Sequence, residues 1–252
     1  MPSYLQAFGL SLPIVKKGDD IAGLIVSAAK KQNIGIGSND IIIVTEKIVS
    51  KSEGRIISLK DIKPTKKAIA IAKQAQKDPR LVEAILRESR KVLRIGKGFI
   101  IVETRHGFIC ANAGIDASNI AGNDETVKLL PKDPDKSAEK IRKKIEKATG
   151  KKIGVIISDS FGRPFRFGSV GVAIGASKVR VLWDRRGEKD LFGKVLKTTR
   201  VAIGDALASL GNLVTGEAGE GIPVVIVKSN LKLLGKGRAK ELIRDKKTDV
   251  FR

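Results

Sequence analysis

Cysteine, histidine, methionine, tryptophan and tyrosine occur once each among the 252 residues of this chain. The lone Cys110 excludes an intrachain disulfide framework, which fits a reducing cytoplasm. With His106 as the single imidazole, the ligands of a structural zinc site are missing too. No segment reaches the ~18 apolar residues of a membrane span. The N-terminus lacks the basic flank and unbroken apolar core of a secretory signal. The expectation is a cytoplasmic protein without a membrane anchor. Acidic side chains are also in short supply, with 27 Asp+Glu against 49 Lys+Arg and a net charge of +22.

That charge has two readings: a polyanionic partner (nucleic acid, nucleotide or acidic metabolite) or a well-solvated surface. The basic residues are dispersed through Lys16-Lys17, Lys30-Lys31, Lys66-Lys67, Arg142-Lys143-Lys144 and Lys246-Lys247, and form no single arm. Aromatic residues make up 4% of the chain, too few to suggest stacking on bases. A nucleic-acid-binding protein is therefore the weaker alternative.

Periodicity predicts helices over Asp20–Lys31, Thr65–Gln76, Asp78–Arg90, Asp135–Thr149, Thr198–Val214 and Arg238–Phe251. Asp78 is placed as an N-cap with Pro79 at the first helical position, and Gly150 as a left-handed C-terminal stop. Strands are predicted over Ile41–Thr45, Phe99–Glu103, Phe108–Ala111, Ile153–Ser158, Val170–Ile174, Val179–Trp183 and Ile222–Lys228. Without a regular βαβ rhythm, these read as a mixed α+β architecture and not a doubly wound sheet. We expect one catalytic unit over residues 1–252 with two α+β lobes, a nucleotide and metal site in the cleft, and no resolvable boundary between the lobes.

Several phosphate-binding signatures are missing. No Gly-Lys pair has a glycine five residues earlier or a following Ser or Thr, so there is no P-loop; no G-x-G-x-x-G opens a Rossmann unit. Other segments carry the chemistry. After apolar runs, Asn112–Asn119 and Ile156–Arg163 each place a carboxylate, Asp116 or Asp159, among small and hydroxyl-bearing residues. Such turns serve as simple caps, or hold hard cations between protein and phosphate oxygens. Asp159-Ser160 offers a carboxylate and a hydroxyl side by side. Arg163 and Arg166, flanked by Gly162 and Gly168, are candidates to balance charge on a transferring phosphoryl group. In Thr215–Ile222, three glycines let the backbone approach a ligand, while Glu217 and Glu220 would repel phosphate unless a metal intervened. Lys51 and Arg55 in Ser50–Arg55 suit phosphate. Leu12–Val15 with Gly18-Asp19-Asp20 reads as an N-terminal strand followed by a capped helix, or could wall a base.

Taken in order from residue 12 to 223, these segments resemble the coenzyme F-420-0:L-glutamate ligase family, the archaeal γ-glutamyl ligases of deazaflavin biosynthesis. Asn112–Asn119 is the most specific element of the likeness. The resemblance implies a ligase that uses GTP, divalent Mn²⁺ or Mg²⁺ and stimulating K⁺ to add successive L-glutamates to F-420-0 and F-420-1. It passes through an acyl phosphate and releases GDP and phosphate. By family position, Asp116 and Asp159 would bind one metal, and Ser160 and Glu217 the other. Leu12, Pro13, Ile14, Val15, Lys51, Asn119 and the loop Thr215, Gly216, Glu217, Ala218, Gly219, Glu220, Gly221, Ile222 would contact GTP. Glu46 and Lys47 occupy a further nucleotide contact, where the family often has smaller hydroxyl residues; Ser160 replaces a common Thr. The family forms intertwined homodimers. A related amide ligase acting on another acid remains the enzyme alternative.

Overall fold

The fold is taken from a computed structural model that describes residues 2–116 and 125–250. Its elements run in the order β1 (Leu5–Leu10), α1 (Ile21–Lys31), β2 (Ile41–Thr45), α2 (Glu46–Ser52), β3 (Ile56–Ser58), α3 (Lys66–Ala75) and α4 (Pro79–Arg87). Next come β4 (Ser89–Gly96), β5 (Phe99–Thr104), β6 (Ile109–Ala111), β7 (Thr126–Lys128) and α5 (Pro134–Thr149). The chain finishes with β8 (Gly154–Arg163), β9 (Arg166–Ser177), β10 (Trp183–Asp184), β11 (Arg200–Val201), α6 (Ile203–Thr215) and β12 (Val224–Ser229). The architecture is mixed α+β. No helix among the described residues is long and apolar enough to cross a membrane.

The largest sheet has the order β1-β12-β2-β8-β9. Only β2 and β8 run parallel; every other neighbouring pair is antiparallel. The Ile41–Val44 run is apolar throughout because both faces of β2 are covered. Ile42 and Val44 join α1 and α5 in one core, with Ile25, Ala138, Ile141 and Ile145 opposite them. Ile41 and Ile43 pack on the other side, beneath Leu207 and Ala208 of α6. The helix lies so close to β9 that an ideal Cβ on Gly171 would fall 2.3 Å from the Ala208 carbonyl oxygen.

A second core is built from residues between β3 and β6. There α3 and α4 cover the antiparallel sheet β4-β5-β6 through Ala68, Ala72, Ile85, Ile100 and Val102. Asp78 caps α4 by accepting from the Arg80 amide, with Pro79 opening the helix as expected. Gly150 closes α5 at φ 68°, again as expected.

Several sequence expectations are corrected. Arg238–Phe251 does not form a helix: its described part holds short 3-10 turns over Ala239–Leu242 and Lys246–Thr248. Ala239 buries against the sheet, and Lys246 then turns away to pair with Glu103 at 2.9 Å. Val179–Trp183 is extended and partly buried, but makes only isolated bridges from Val179 to Leu234 and Gly237; the strand proper is Trp183–Asp184. The predicted helix from Thr198 starts at Ile203, after the short strand β11. The helix from Asp78 stops at Arg87, because Ser89 and Arg90 already belong to β4. β1, α2, β3, β4, β7 and β11 were not anticipated.

Candidate functional site

Strand direction gathers the site. β2 and β8 are parallel, so both C-terminal ends reach the same edge of the sheet. β12 runs against β2, and β1 against β12, so that edge also receives the start of β12 and the end of β1. Leu10, Val224, Val44 and Ile157 form one row of register partners across the four strands. All four are fully buried. Beyond this row the chain leaves the sheet in three places, as Leu12–Val15, α2 and the loop before Pro223. β8 instead runs on through Ser158–Ser160 still paired with β9, so Asp159 lies in a strand and not in the turn expected from sequence. Sites distant in sequence thus meet at one edge, where loops can vary without disturbing the core.

These segments surround a cavity of about 550 Å³. Its wall includes Leu12, Pro13, Ile14, Val15, Glu46, Lys47, Lys51, Asp116, Asp159, Ser160 and the whole loop Thr215–Ile222. A smaller cavity of about 340 Å³ adjoins it, lined by Cys110, Ala111, Gly114, Ile115, Lys128, Phe161 and Gly162. Four residues belong to both walls: Asp116, Asp159, Ser160 and Glu217. They are the same four that the resemblance assigns to metals.

Each of the four is held in a definite way. Asp116 follows Asn112, Ala113 and Gly114, three successive residues at φ 52°, 57° and 68°, and its backbone exchanges hydrogen bonds with Lys128. Its carboxylate lies 3.2 Å from Lys47 Nζ. Asp159 Oδ1 accepts from the Ser160 amide at 2.8 Å. Ser160 Oγ donates to Glu217 Oε2 at 3.2 Å, while Glu217 Oε1 accepts from Asn212 Nδ2 at 2.8 Å and from Ser169 Oγ. Asn212 was missed from sequence; its only signal was a position one turn before the glycine loop.

Charge is crowded here. Burial, and next the neighbouring Glu46 carboxylate, raise the pKa of Asp159 to about 7. Burial and Asp159 push the Cys110 thiol up to about 12, so it stays neutral. Lys51 is shifted downward, first by burial and then by Lys47. Glu46 faces the buried Lys128, a partner not anticipated from sequence. Among the described residues, no group of three or more His, Cys, Asp and Glu side chains converges to hold an ion unaided. The donor set at the shared wall is oxygen only, carboxylates plus one hydroxyl. It suits hard divalent cations whose remaining ligands come from phosphate or water. The crowding of negative charge around Asp159 favours such a cation too.

Other expected residues fall elsewhere. Arg163 and Arg166 are register partners at the tip of the β8–β9 hairpin, outside both cavity walls; Arg163 Nη1 donates to the Gly168 carbonyl. Arg55 is directed away from the cavities, pairing with Glu88 at 2.9 Å and with the Leu130 carbonyl. Asn119 lies outside the described residues. Within the loop, Glu220 Oε2 accepts from the Ala218 amide, so a carboxylate occupies one of its anion-facing donors.

Comparison with known proteins adds independent information. The family profile described as F420-0:Gamma-glutamyl ligase matches residues 9–229. A protein named coenzyme F420:L-glutamate ligase from Methanocaldococcus jannaschii is 54% identical over 250 residues, covering 98% of this chain and 97% of that one. Its namesake from Methanothermobacter thermautotrophicus is 52% identical over 243 residues, covering 96% of each chain. A more distant namesake from Archaeoglobus fulgidus is 42% identical over 241 residues, covering 96% of this chain and 93% of the other.

Proposed function

Because the chain belongs to the F420-0:gamma-glutamyl ligase family, we propose that it joins L-glutamate to coenzyme F-420-0, and then to F-420-1, through γ-linked amides with cleavage of GTP. The observation that carries this reading is the shared wall: Asp116, Asp159, Ser160 and Glu217 stand between two cavities, one of them walled by a glycine loop and two lysines.

GTP takes the larger cavity. Leu12–Val15 supply an apolar wall with Pro13 fixing its backbone, and the Thr215–Ile222 loop offers amide donors. Glu220 would leave the Ala218 amide when phosphate arrives. Lys47 and Lys51 sit at successive turns of α2 and draw the phosphates toward the shared wall. Asp116 and Asp159 would hold one divalent ion, and Ser160 with Glu217 a second; such ions offset phosphate charge and polarise its oxygens. K⁺ is expected to stimulate turnover.

A carboxylate is a poor electrophile until phosphorylated. Its oxygen bonds to the γ-phosphorus while the bond to the β,γ-bridging oxygen breaks, and that electron pair leaves on GDP. The glutamate nitrogen then bonds to the acyl carbon, phosphate departs with the C–O electron pair, and the nitrogen gives its protons to phosphate and water. What this chain contributes is placement and charge.

We further read the central sheet and the smaller core as two lobes of one catalytic unit that works in the cytoplasm as a homodimer. Phe165, Phe167, Leu191 and Phe192, each 90% or more exposed, are the apolar side chains a second copy would cover. Purified protein incubated with F-420-0, GTP, Mn²⁺ and L-glutamate should yield masses rising in glutamyl steps, with GDP and phosphate released. Folded protein that makes no product with either Mn²⁺ or Mg²⁺ would overturn the proposal.

A further inference from the structure

The larger cavity accounts for a nucleotide but leaves the smaller one without an occupant. Three observations bear on it. First, it meets the larger cavity only at Asp116, Asp159, Ser160 and Glu217. Phosphoryl transfer needs the attacking and leaving oxygens roughly in line on opposite sides of phosphorus. Two chambers that share these four residues can take the donor in one and the acceptor in the other. Second, among the described residues, the part of its lining that is not shared contains no glycine loop and no acidic side chain. It consists of the small or apolar residues Ala111, Gly114, Ile115, Phe161 and Gly162, the neutral Cys110 thiol, and one cation, Lys128. Third, Lys128 is fixed and cannot swing to the solvent: its ammonium is tied to Glu46 and its backbone to Asp116. Once divalent ions offset Asp116, Asp159 and Glu217, Lys128 is the one cation on the described lining, and that suits a short chain ending in a carboxylate.

We propose that the smaller cavity, walled by Cys110, Ala111, Gly162 and Lys128, receives the carboxylate end of the acceptor acid and delivers its oxygen to the γ-phosphorus of a nucleotide held on the opposite side of the shared wall. This rests on the ligase reading above and assigns the chamber that reading leaves open.

The test fills the chamber without touching the shared residues. An ideal Cβ on Gly162 meets no atom within 4 Å, so Gly162→Leu adds volume without a clash; Ala111→Leu does so from a second strand. In either variant the KM for F-420-0 should rise at least tenfold, with the KM for GTP within twofold of wild type. Calorimetric titration should show the same split: weakened F-420-0 binding and unchanged binding of a non-hydrolysable GTP analogue with Mg²⁺. A rise in the KM for GTP, a rise confined to L-glutamate, or unchanged acceptor binding in both variants would overturn the assignment. A wild-type protein that forms no product would instead overturn the ligase reading itself. In that event the titration still decides whether a carboxylate-ended acid enters this chamber.

Discussion

Lys128 donates a hydrogen bond to Glu46 across 82 positions of sequence, and the two side chains are only 1% and 4% exposed. The pair links β7 to the first turn of α2 beneath both cavities. Removing one member should leave a buried charge. Lys128→Met is expected to cost about 3–5 kcal/mol, since Glu46 keeps only Ser50 Oγ as a described partner at 3.2 Å. Adding Glu46→Gln should recover much of that loss, because a neutral amide is far cheaper to bury. Urea denaturation of the two single variants and the double variant measures this; equal instability of Lys128→Met with and without Glu46→Gln would show the pair to be incidental.

Asp159→Asn removes the charge at the shared wall while keeping the shape of the side chain. Turnover should fall by ~10²–10³, corresponding to ~3–4 kcal/mol of lost transition-state stabilisation. Stability without metal should change by no more than about 1 kcal/mol or rise, as repulsion from Glu46 is relieved. The thermal shift given by Mn²⁺ plus GTP should largely vanish. Near wild-type turnover at limiting Mn²⁺ would reduce Asp159 to a structural residue of β8.

The same carboxyl predicts a pH dependence. Its pKa is raised to about 7 in the folded protein from an ordinary value of 3.8. Between those values the folded state keeps a proton that the unfolded chain has lost. The contribution is therefore full below about 4 and is lost as pH rises toward 7. Metal-free wild type should lose stability relative to Asp159→Asn across that window. Parallel curves for the two proteins from pH 4 to 8 would contradict the shift.

Gly171 pairs with Ser160 in register and touches the backbone of α6 at Ala208. Gly171→Ala should push helix and strand apart, at a cost of about 1–3 kcal/mol. Activity should fall as well, since α6 carries Asn212 and leads into the glycine loop. Gly35→Ala is the contrast: its added Cβ meets nothing within 4 Å. Its effect should be near zero or favourable by up to about 1 kcal/mol. Melting temperatures of the two variants separate close approach from a general intolerance of lost glycine.

Much of the central sheet was legible because its strands are apolar on both faces and bounded by turns, as in Ile41–Thr45. α5 was legible from Gly150 and the 3.6-residue spacing of Ala138, Ile141 and Ile145. β1 was not, since Leu5–Leu10 has no β-branched residue and takes its order from pairing with β12 at the far end of the chain. Arg238–Phe251 looked helical through Ala239, Leu242 and Ile243, but the chain has no apolar residue after Ile243 until Val250 to continue a buried stripe. Site segments were legible as loops rich in glycine, carboxylate and hydroxyl. Their convergence was not, because it depends on strand direction. Nor was Lys128, whose sequence neighbourhood carries no sign that its ammonium is buried.

The place of β12 between β1 and β2 also orders events in time. Residues 224–229 fill the gap between strands at residues 5–10 and 41–45. At ~5–20 residues per second of synthesis, β1 waits many seconds with no sheet partner. The edge that carries both cavities cannot close until residues 224–229 have left the ribosome. A truncated product would therefore expose an unpaired strand and lack a ligand chamber, so premature termination yields a sticky fragment and never a partly active enzyme.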